Sequence, residues 1–409
     1  HFLYFVGLPF AGAVALLHDG KLRLFVEPRH PDDALWHGDS PSFDAIAAAL
    51  GEELLPLEAL EDALHGMTVG TIPAPDASTV RAQSGWLGRD VALPSEHDAR
   101  VRAAIIELRL VHDEAALTGL RTAAAATVDA HRRGMAITRP GATEAEVCAA
   151  MEAELSRRGM CTAYGSIVSV HGEVLHNPHR VERLATGDLL LADVGAETVD
   201  GYAGDVTRTW PVSGRFSASQ RAIYEIVLAA QESALHAARP GARFRDVHLE
   251  ASRAIVSGLV DVGVLRGDVD ELVADRIDAL FFPHGIGHLL GLDVHDMEDL
   301  GDEAGYPAGR ARSVEPGLRY LRLDRELAPG MVVTIEPGFY SLPTLLAPDS
   351  ELRARAGDRL REDTLRLFSD VRGIRIEDDV LITGSGAVRL TESLPRAPEA
   401  VEALVGIGV

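Results

Sequence analysis

The stretch RPGATEAEV at residues 139–147 returns 100 residues later as RPGARFRDV at residues 239–247. Each copy follows an Ala-rich helical run (TAAAATVDAHRRGM; IYEIVLAAQESALHAA), precedes another (VCAAMEAELSRRG; VHLEASRAIVSGLVDVG) and leads on to strand-like segments. Pro-Gly closes one helix, and an acidic or turn segment opens the next. A repeated RPGA alone is weak evidence, but the shared order of helix, turn, helix and strand predicts a duplicated α/β unit. Such a unit can close a pseudo-twofold site between its halves.

Outward from the repeat, five runs each put an ionisable side chain on or beside an apolar strand. They are LLLADVG around Asp193, GYAGDVTRTWP around Asp205, PHGIGHLLGLDVHD around His288, GMVVTIEPGFY around Glu336 and GIRIEDDVLIT around Glu377. Four carboxylates and an imidazole are too much charge for a dry interior unless a cation compensates them. Carboxylates are hard oxygen ligands suited to manganese, magnesium or cobalt, and a single imidazole admits zinc. Four carboxylates exceed what one ion uses comfortably. Two metals about 3.5–4 Å apart are the natural count, a pair that activates water and polarises a carbonyl. The reaction class is metal-assisted hydrolysis.

Within the runs, Asp193 closes the strand DLLLADVG, and Asp205 follows a segment containing the turn dipeptide Asp200-Gly201. Two antiparallel strands can thus bring both carboxylates to one point, with Asp205 expected inside a strand. Taken singly, Asp193 could cap a turn and Asp205 could pair with Arg208. His284 and His288 are four apart, but Gly285 and Gly287 argue for a turn leading into a strand rather than a helix. With His295 they make a cluster in which one histidine is a ligand and the others donate protons or orient groups. Glu336 follows four β-favouring residues and precedes the Pro337-Gly338 turn. Glu377 is expected mid-strand, with Ile374 and Ile376 on one face and Arg375 and Glu377 on the other. Burial of both faces would make Glu377 an obligate metal or ion-pair partner.

A chain of 409 residues, 46% hydrophobic, can bury a large core and exceeds one ordinary domain. Residues 1–107 alternate β-like runs (HFLYFVGL, AGAVALL, LRLFVEP) with helical stretches such as PSFDAIAAALGEELL, as a smaller α/β accessory domain would. Residues 108–409, which hold all five runs, are expected to form the catalytic domain. The apolar opening is interrupted by Gly7, Pro9 and Gly12 and reads as strands rather than as a signal peptide. A formal charge of −23 argues against nucleic-acid and anionic-membrane partners. Cys148 and Cys161 have neither metal-type spacing nor a disulfide framework, which fits a reducing cytoplasm. No uncharged apolar run of about eighteen residues predicts a transmembrane helix.

In this order the five runs closely resemble the pita-bread metallopeptidases that cleave at proline, the aminopeptidase P and prolidase family. The resemblance covers roughly residues 107–395, and the N-terminal part looks like the accessory domain of the same enzymes. It implies an α/β (α+β) architecture: a pita-bread catalytic domain with a duplicated pseudo-twofold unit, plus a smaller α/β N-terminal domain. By motif, Asp193 resembles the terminal ligand of one metal, Asp205 and Glu377 the bridging carboxylates, and His288 with Glu336 the ligands of the other. Glu336 also resembles the proton shuttle. The implied cofactor is two divalent ions, manganese first, with zinc or cobalt possible.

The resemblance further implies that His284, His295 and His176, in GEVLHNP, stabilise the tetrahedral intermediate or receive the proline nitrogen's proton. Tyr164 and Ile167, in AYGSIVSVHGE, match pocket positions, and Arg375 is a further substrate-side residue. The implied substrates are small peptides with proline second, and the implied assembly is a homodimer or higher homo-oligomer. Arg322, in EPGLRYLRLDRELAPGM, falls where prolidases look to have an arginine that grips a dipeptide carboxylate. It could instead pair with Asp324, Glu326 or Glu315. The resulting expectation is Xaa-Pro dipeptidase first, with Xaa-Pro aminopeptidase and, distantly, a non-catalytic binding module as alternatives. HDMEDLG resembles bacterial aminopeptidase sequences, and the ETVDGY hairpin is about one residue longer than usual.

Overall fold

The computed structural model describes residues 1–10, 12–27, 32–38 and 42–408. The chain divides into two compact units, His1–Leu108 and Arg109–Val409. Among the described residues no helix is long and apolar enough to cross a membrane.

In the first unit, β1 (Val14–His18) pairs antiparallel with β2 (Lys21–Val26), which pairs in parallel with β3 (Glu53–Pro56). Two readings of this segment need correction. HFLYFVGL, expected as a strand, is a short helix, α1 (Phe2–Val6), closed by Gly7 in the left-handed conformation with its N–H donating to Leu3 O. A short apolar run carries no period that separates helix from strand, so the glycine cap decides. The helix expected over PSFDAIAAALGEELL stops early: α2 (Phe43–Leu50) ends at left-handed Gly51, and the following residues become β3.

The second unit builds its halves alike. α3 (Glu114–Ile137) starts at Asp113, whose carboxylate accepts from Ala116 N–H, and α4 (Glu144–Ser156) starts at a capping box of Thr143 and Glu146. They pack with a sheet ordered β4 (Ile167–Ser169), β5 (Leu189–Asp193), β6 (Thr207–Pro211). In the other half, α5 (Ala218–Ala237) and α6 (Phe244–Asp261) precede β7 (Val332–Ile335), β8 (Gly338–Tyr340), β9 (Gly373–Arg375), β10 (Asp378–Thr383) and β11 (Gly386–Arg389). Here β10 is flanked by β11 and β7, while β8 and β9 form a ribbon. Strands β5, β6 and β9 are buried along their whole length, so these sheets are covered on both faces.

The duplication extends to single hydrogen bonds. Gly141 N–H donates to Leu184 O and Leu184 N–H returns to Ala142 O, both at 2.8 Å; Gly241 and Ala242 make the same pair with Leu327, again at 2.8 Å. Gly141 and Gly241 both have φ in the left-handed region, which is why each turn carries glycine. In each half the bonded leucine lies five positions before a strand, β5 or β7, that leads to an acid, Asp193 or Glu336.

Candidate metal centre

β5 delivers Asp193 as its last residue, and antiparallel pairing with β6 sets Asp193 opposite Thr207. The chain between them turns at Asp200 and Gly201, as expected of that dipeptide. Asp205, however, lies outside any strand, two residues before β6. Its backbone N–H donates to the Asp379 carboxylate at 3.0 Å instead of to a neighbouring strand. Nor does it pair with Arg208, whose guanidinium bonds Asp378 at 2.8 Å with both side chains fully buried.

Glu377 also departs from the mid-strand expectation. It sits at the break between β9 and β10, where Glu377 N–H donates to Thr207 O at 3.0 Å and Ile376 N–H to Pro337 O at 3.3 Å. The chain is crossing from the ribbon to the sheet at this point, and the crossing frees Glu377 from strand alternation. Both faces are nonetheless buried: Ile374, Arg375, Ile376 and Glu377 are all nearly inaccessible.

His288 lies in an extended segment beside β7, with Thr334 N–H donating to His288 O and Glu336 N–H to Ile286 O. Gly287 is required there because a Cβ would lie 2.0 Å from Thr334 O. His288 Nδ1 is 2.9 Å from Leu289 O, so Nδ1–H donates and Nε2 is left to face Asp205 Oδ2 at 3.3 Å and Glu336 Oε1 at 3.9 Å. Ligand atoms of Asp205, His288 and Glu377 all lie within 4.8 Å of one another. Asp193 joins through Tyr164, whose hydroxyl is 2.5 Å from Asp193 Oδ1 and 2.6 Å from Asp205 Oδ1.

One phenolic proton cannot satisfy two carboxylates, so the site demands another positive charge. Arg375 supplies part of it, 2.5 Å from Asp193 Oδ2, but its other nitrogens are taken by Thr207 Oγ1 at 2.8 Å and Tyr340 Oη at 3.1 Å. Burial, then mutual repulsion among the carboxylates, pushes Glu377 well above the usual carboxylate range. Burial likewise takes Glu336 to about 7 and Asp193 to about 6. Against its own burial, His288 is held up to about 9 by the hydrogen bond and charge of Asp205. A cluster of buried acids that resists ionisation on its own is the donor set a divalent cation fits.

The remaining expected residues surround this cluster differently. Ile167 is buried on β4 and pairs with Asp193 across the sheet, and His176 is exposed. His284 uses both ring nitrogens, with Nδ1 2.7 Å from Gly285 O and Nε2 2.9 Å from Tyr340 Oη, and burial holds it neutral with a pKa of about 3. His295 stacks edge-on to His288 with centroids 4.4 Å apart. Arg322 pairs with Glu298 at 2.6 Å and with none of the expected acids, since Asp324 is taken by Arg243.

Sequence reasoning missed Thr207, which donates to Glu377 Oε2 at 2.6 Å, along with Tyr340, Asp379 and the Arg208–Asp378 pair. The alternation Thr207, Thr209 in VTRTWP and the consecutive acids of IEDD carried the signal. Neither reveals its partner, which comes from the other half.

Residues 118–384 match metallopeptidase family M24, and residues 1–71 match the aminopeptidase P N-terminal domain. Xaa-Pro aminopeptidase of Escherichia coli K12 is 39% identical over 74% of this chain, and Xaa-Pro dipeptidase of Homo sapiens is 38% identical over 73%. The chain spans about three fifths of the length of these two relatives (61% and 60%). A probable Xaa-Pro aminopeptidase of Tuber melanosporum is 32% identical over 96% of this chain and 83% of its own length. Among solved structures, aminopeptidase PepP of Pseudomonas aeruginosa superposes with a TM-score of 0.79 at 31% identity, covering 98% of this chain and 87% of that one. The duplicated α+β unit is thus a pita-bread fold, preceded by an aminopeptidase P N-terminal domain, and the chain belongs to metallopeptidase family M24.

Proposed function

We propose that this chain hydrolyses the peptide bond before proline as an Xaa-Pro aminopeptidase, acting on small peptides with proline in the second position. The observation that carries the reading is the convergence of Asp205, His288 and Glu377, with Asp193 and Glu336 beside them. Likeness to aminopeptidase structures over 98% of the chain supports the aminopeptidase form. Asp193, Asp205, His288, Glu336 and Glu377 would hold two divalent cations, manganese first, with zinc or cobalt able to substitute. When bound, such ions polarise the scissile carbonyl and lower the pKa of water.

Glu336 is the proton carrier in this reading, because its side chain is 18% exposed against 2% for Glu377 and 8% for Asp205. His284, with both ring nitrogens bonded, orients Tyr340 and the Gly285 turn. His295 and the exposed His176 face the substrate, Tyr164 and Ile167 wall the pocket, and Arg375 positions Asp193. Arg322 favours a second reading, dipeptidase, since a half-exposed guanidinium can grip a free carboxylate. A reducing cytoplasm suits the free cysteines Cys148 and Cys161. A homodimer or higher homo-oligomer is the expected assembly, read by light scattering. The deciding assay is hydrolysis of Ala-Pro-Ala and Ala-Pro with and without manganese. Cleavage of the dipeptide alone rejects the aminopeptidase form, and cleavage of neither rejects the peptidase.

A further inference from the structure

Arg322 sits at the edge of the site, because its partner Glu298 also lies against His295, whose ring packs on that of His288. Unlike Arg375, it is only half-buried, and among the described residues one protein acceptor takes it, Glu298 Oε2 at 2.6 Å from Nη1. The same oxygen lies 3.5 Å from His295 Nδ1. Glu298 and Arg322 share the wall of a cavity of about 100 Å³ with Leu289, Asp296, Asp302 and Arg312.

Two features separate Glu298 from an ordinary surface counter-ion. Its second oxygen, Oε1, is buried with no hydrogen-bond partner. The residue before it, Met297, is fully buried with φ of 63°, a left-handed conformation that an unbranched non-glycine residue adopts only at a cost. The strained backbone at Met297 thus carries a carboxylate whose other oxygen, Oε2, is held against the half-exposed Arg322 guanidinium.

Building on the Xaa-Pro peptidase reading, we propose that Glu298 is a specificity-determining residue that neutralises Arg322 and so disfavours substrates carrying a free carboxylate at proline. A dipeptide carboxylate reaching Arg322 meets the Glu298 charge beside it. A longer peptide presents an amide there and meets no such repulsion. The enzyme is thereby biased toward longer peptides despite an arginine suited to dipeptides.

The test compares Glu298→Gln and Glu298→Ala with the wild type, manganese-loaded, on Ala-Pro and Ala-Pro-Ala, with proline and prolinamide as competitive inhibitors. The Gln variant keeps an acceptor for Arg322 and removes the charge. The expected result is a KM for Ala-Pro, and an inhibition constant for proline, lower by about tenfold. Ala-Pro-Ala and prolinamide should barely change, and kcat should hold. Arg322→Gln added to Glu298→Gln should cancel the gain. Equal shifts for both peptides, or a rising dipeptide KM, would make Glu298 a strut and overturn the proposal. Wild-type enzyme that cleaves neither peptide defeats the peptidase reading itself, and the two failures cannot be confused. Thermal midpoints of the variants separate loss of fold from loss of selectivity.

Discussion

Asp193 and Glu336 occupy the same position in the two halves of the duplicated unit, each nine residues beyond the leucine that closes an RPGA turn. Their surroundings have diverged. Asp193 is tied to Arg375 at 2.5 Å and to Tyr164, whereas the nearest cation-capable groups to Glu336 are His284 at 3.8 Å and His288 at 3.9 Å. The tied copy is suited to hold charge in place, and the looser one to exchange a proton.

Glu336→Gln is therefore expected to lower kcat by about two to four orders of magnitude, the usual share of a general acid–base group. The thermal midpoint should not fall, because a neutral amide replaces an acid whose ionisation burial opposes. Steady-state kinetics on Ala-Pro-Ala beside a melting curve reads both; a kcat within about fivefold of wild type would remove Glu336 from proton transfer.

Arg208 and Asp378 lie fully buried behind the site, and Arg208 also donates to the Thr207, Glu377, Leu394 and Pro395 carbonyls. Asp378 further accepts from Gln231 at 2.9 Å and Thr391 at 2.6 Å. Truncating Arg208 leaves the buried Asp378 with only the more distant Arg389, 3.5 Å away, as a cation, so Arg208→Met should destabilise the second unit by about 3–5 kcal/mol. Urea unfolding followed by tryptophan fluorescence suits this, since Trp210 is fully buried on the same strand. An unchanged midpoint would show that the pair is dispensable.

Cation binding should stabilise the fold, because a buried acid cluster loses its repulsion when an ion enters. At a hundredfold excess over the dissociation constant the gain is about 2.7 kcal/mol for one site. Manganese titrated into chelator-treated protein should raise the melting temperature, and Asp205→Asn should blunt the rise. Equal rises in both proteins would place the binding elsewhere.

The five acid and histidine runs were legible because burying an ionisable group inside an apolar run is costly enough to mark the sequence. The RPGA turns were legible because a left-handed residue needs glycine. What could not be read was long-range. Asp205 and Glu377 look like strand residues, yet each gives its backbone N–H to the other half, to Asp379 and Thr207. Arg322 has four nearby acids in sequence or space, and only the fold selects Glu298 over Asp324, Glu326 and Glu315. α1 was misread because an apolar pentamer has no period.

His248 makes the stability of the fold depend on pH, in the direction that its burial sets. The ring is fully buried on α6 against Phe282, with Nε2 3.4 Å from Arg276 Nη2 and 3.5 Å from Ser252 Oγ. Burial first, then the positive charges of Arg276 and Arg245, hold it well below the ordinary imidazole value of 6.5. The unfolded chain thus takes up a proton below pH 6.5 that the native protein refuses, and stability falls as pH drops through that value. The loss from this group is at most about 1.4 kcal/mol per pH unit. His248→Asn keeps an acceptor for Arg276 but cannot titrate. Its unfolding free energy, measured in urea between pH 7 and 5, should therefore fall less steeply than that of the wild type by up to that amount. Parallel curves would mean that His248 takes up its proton in the native state as readily as in the unfolded chain.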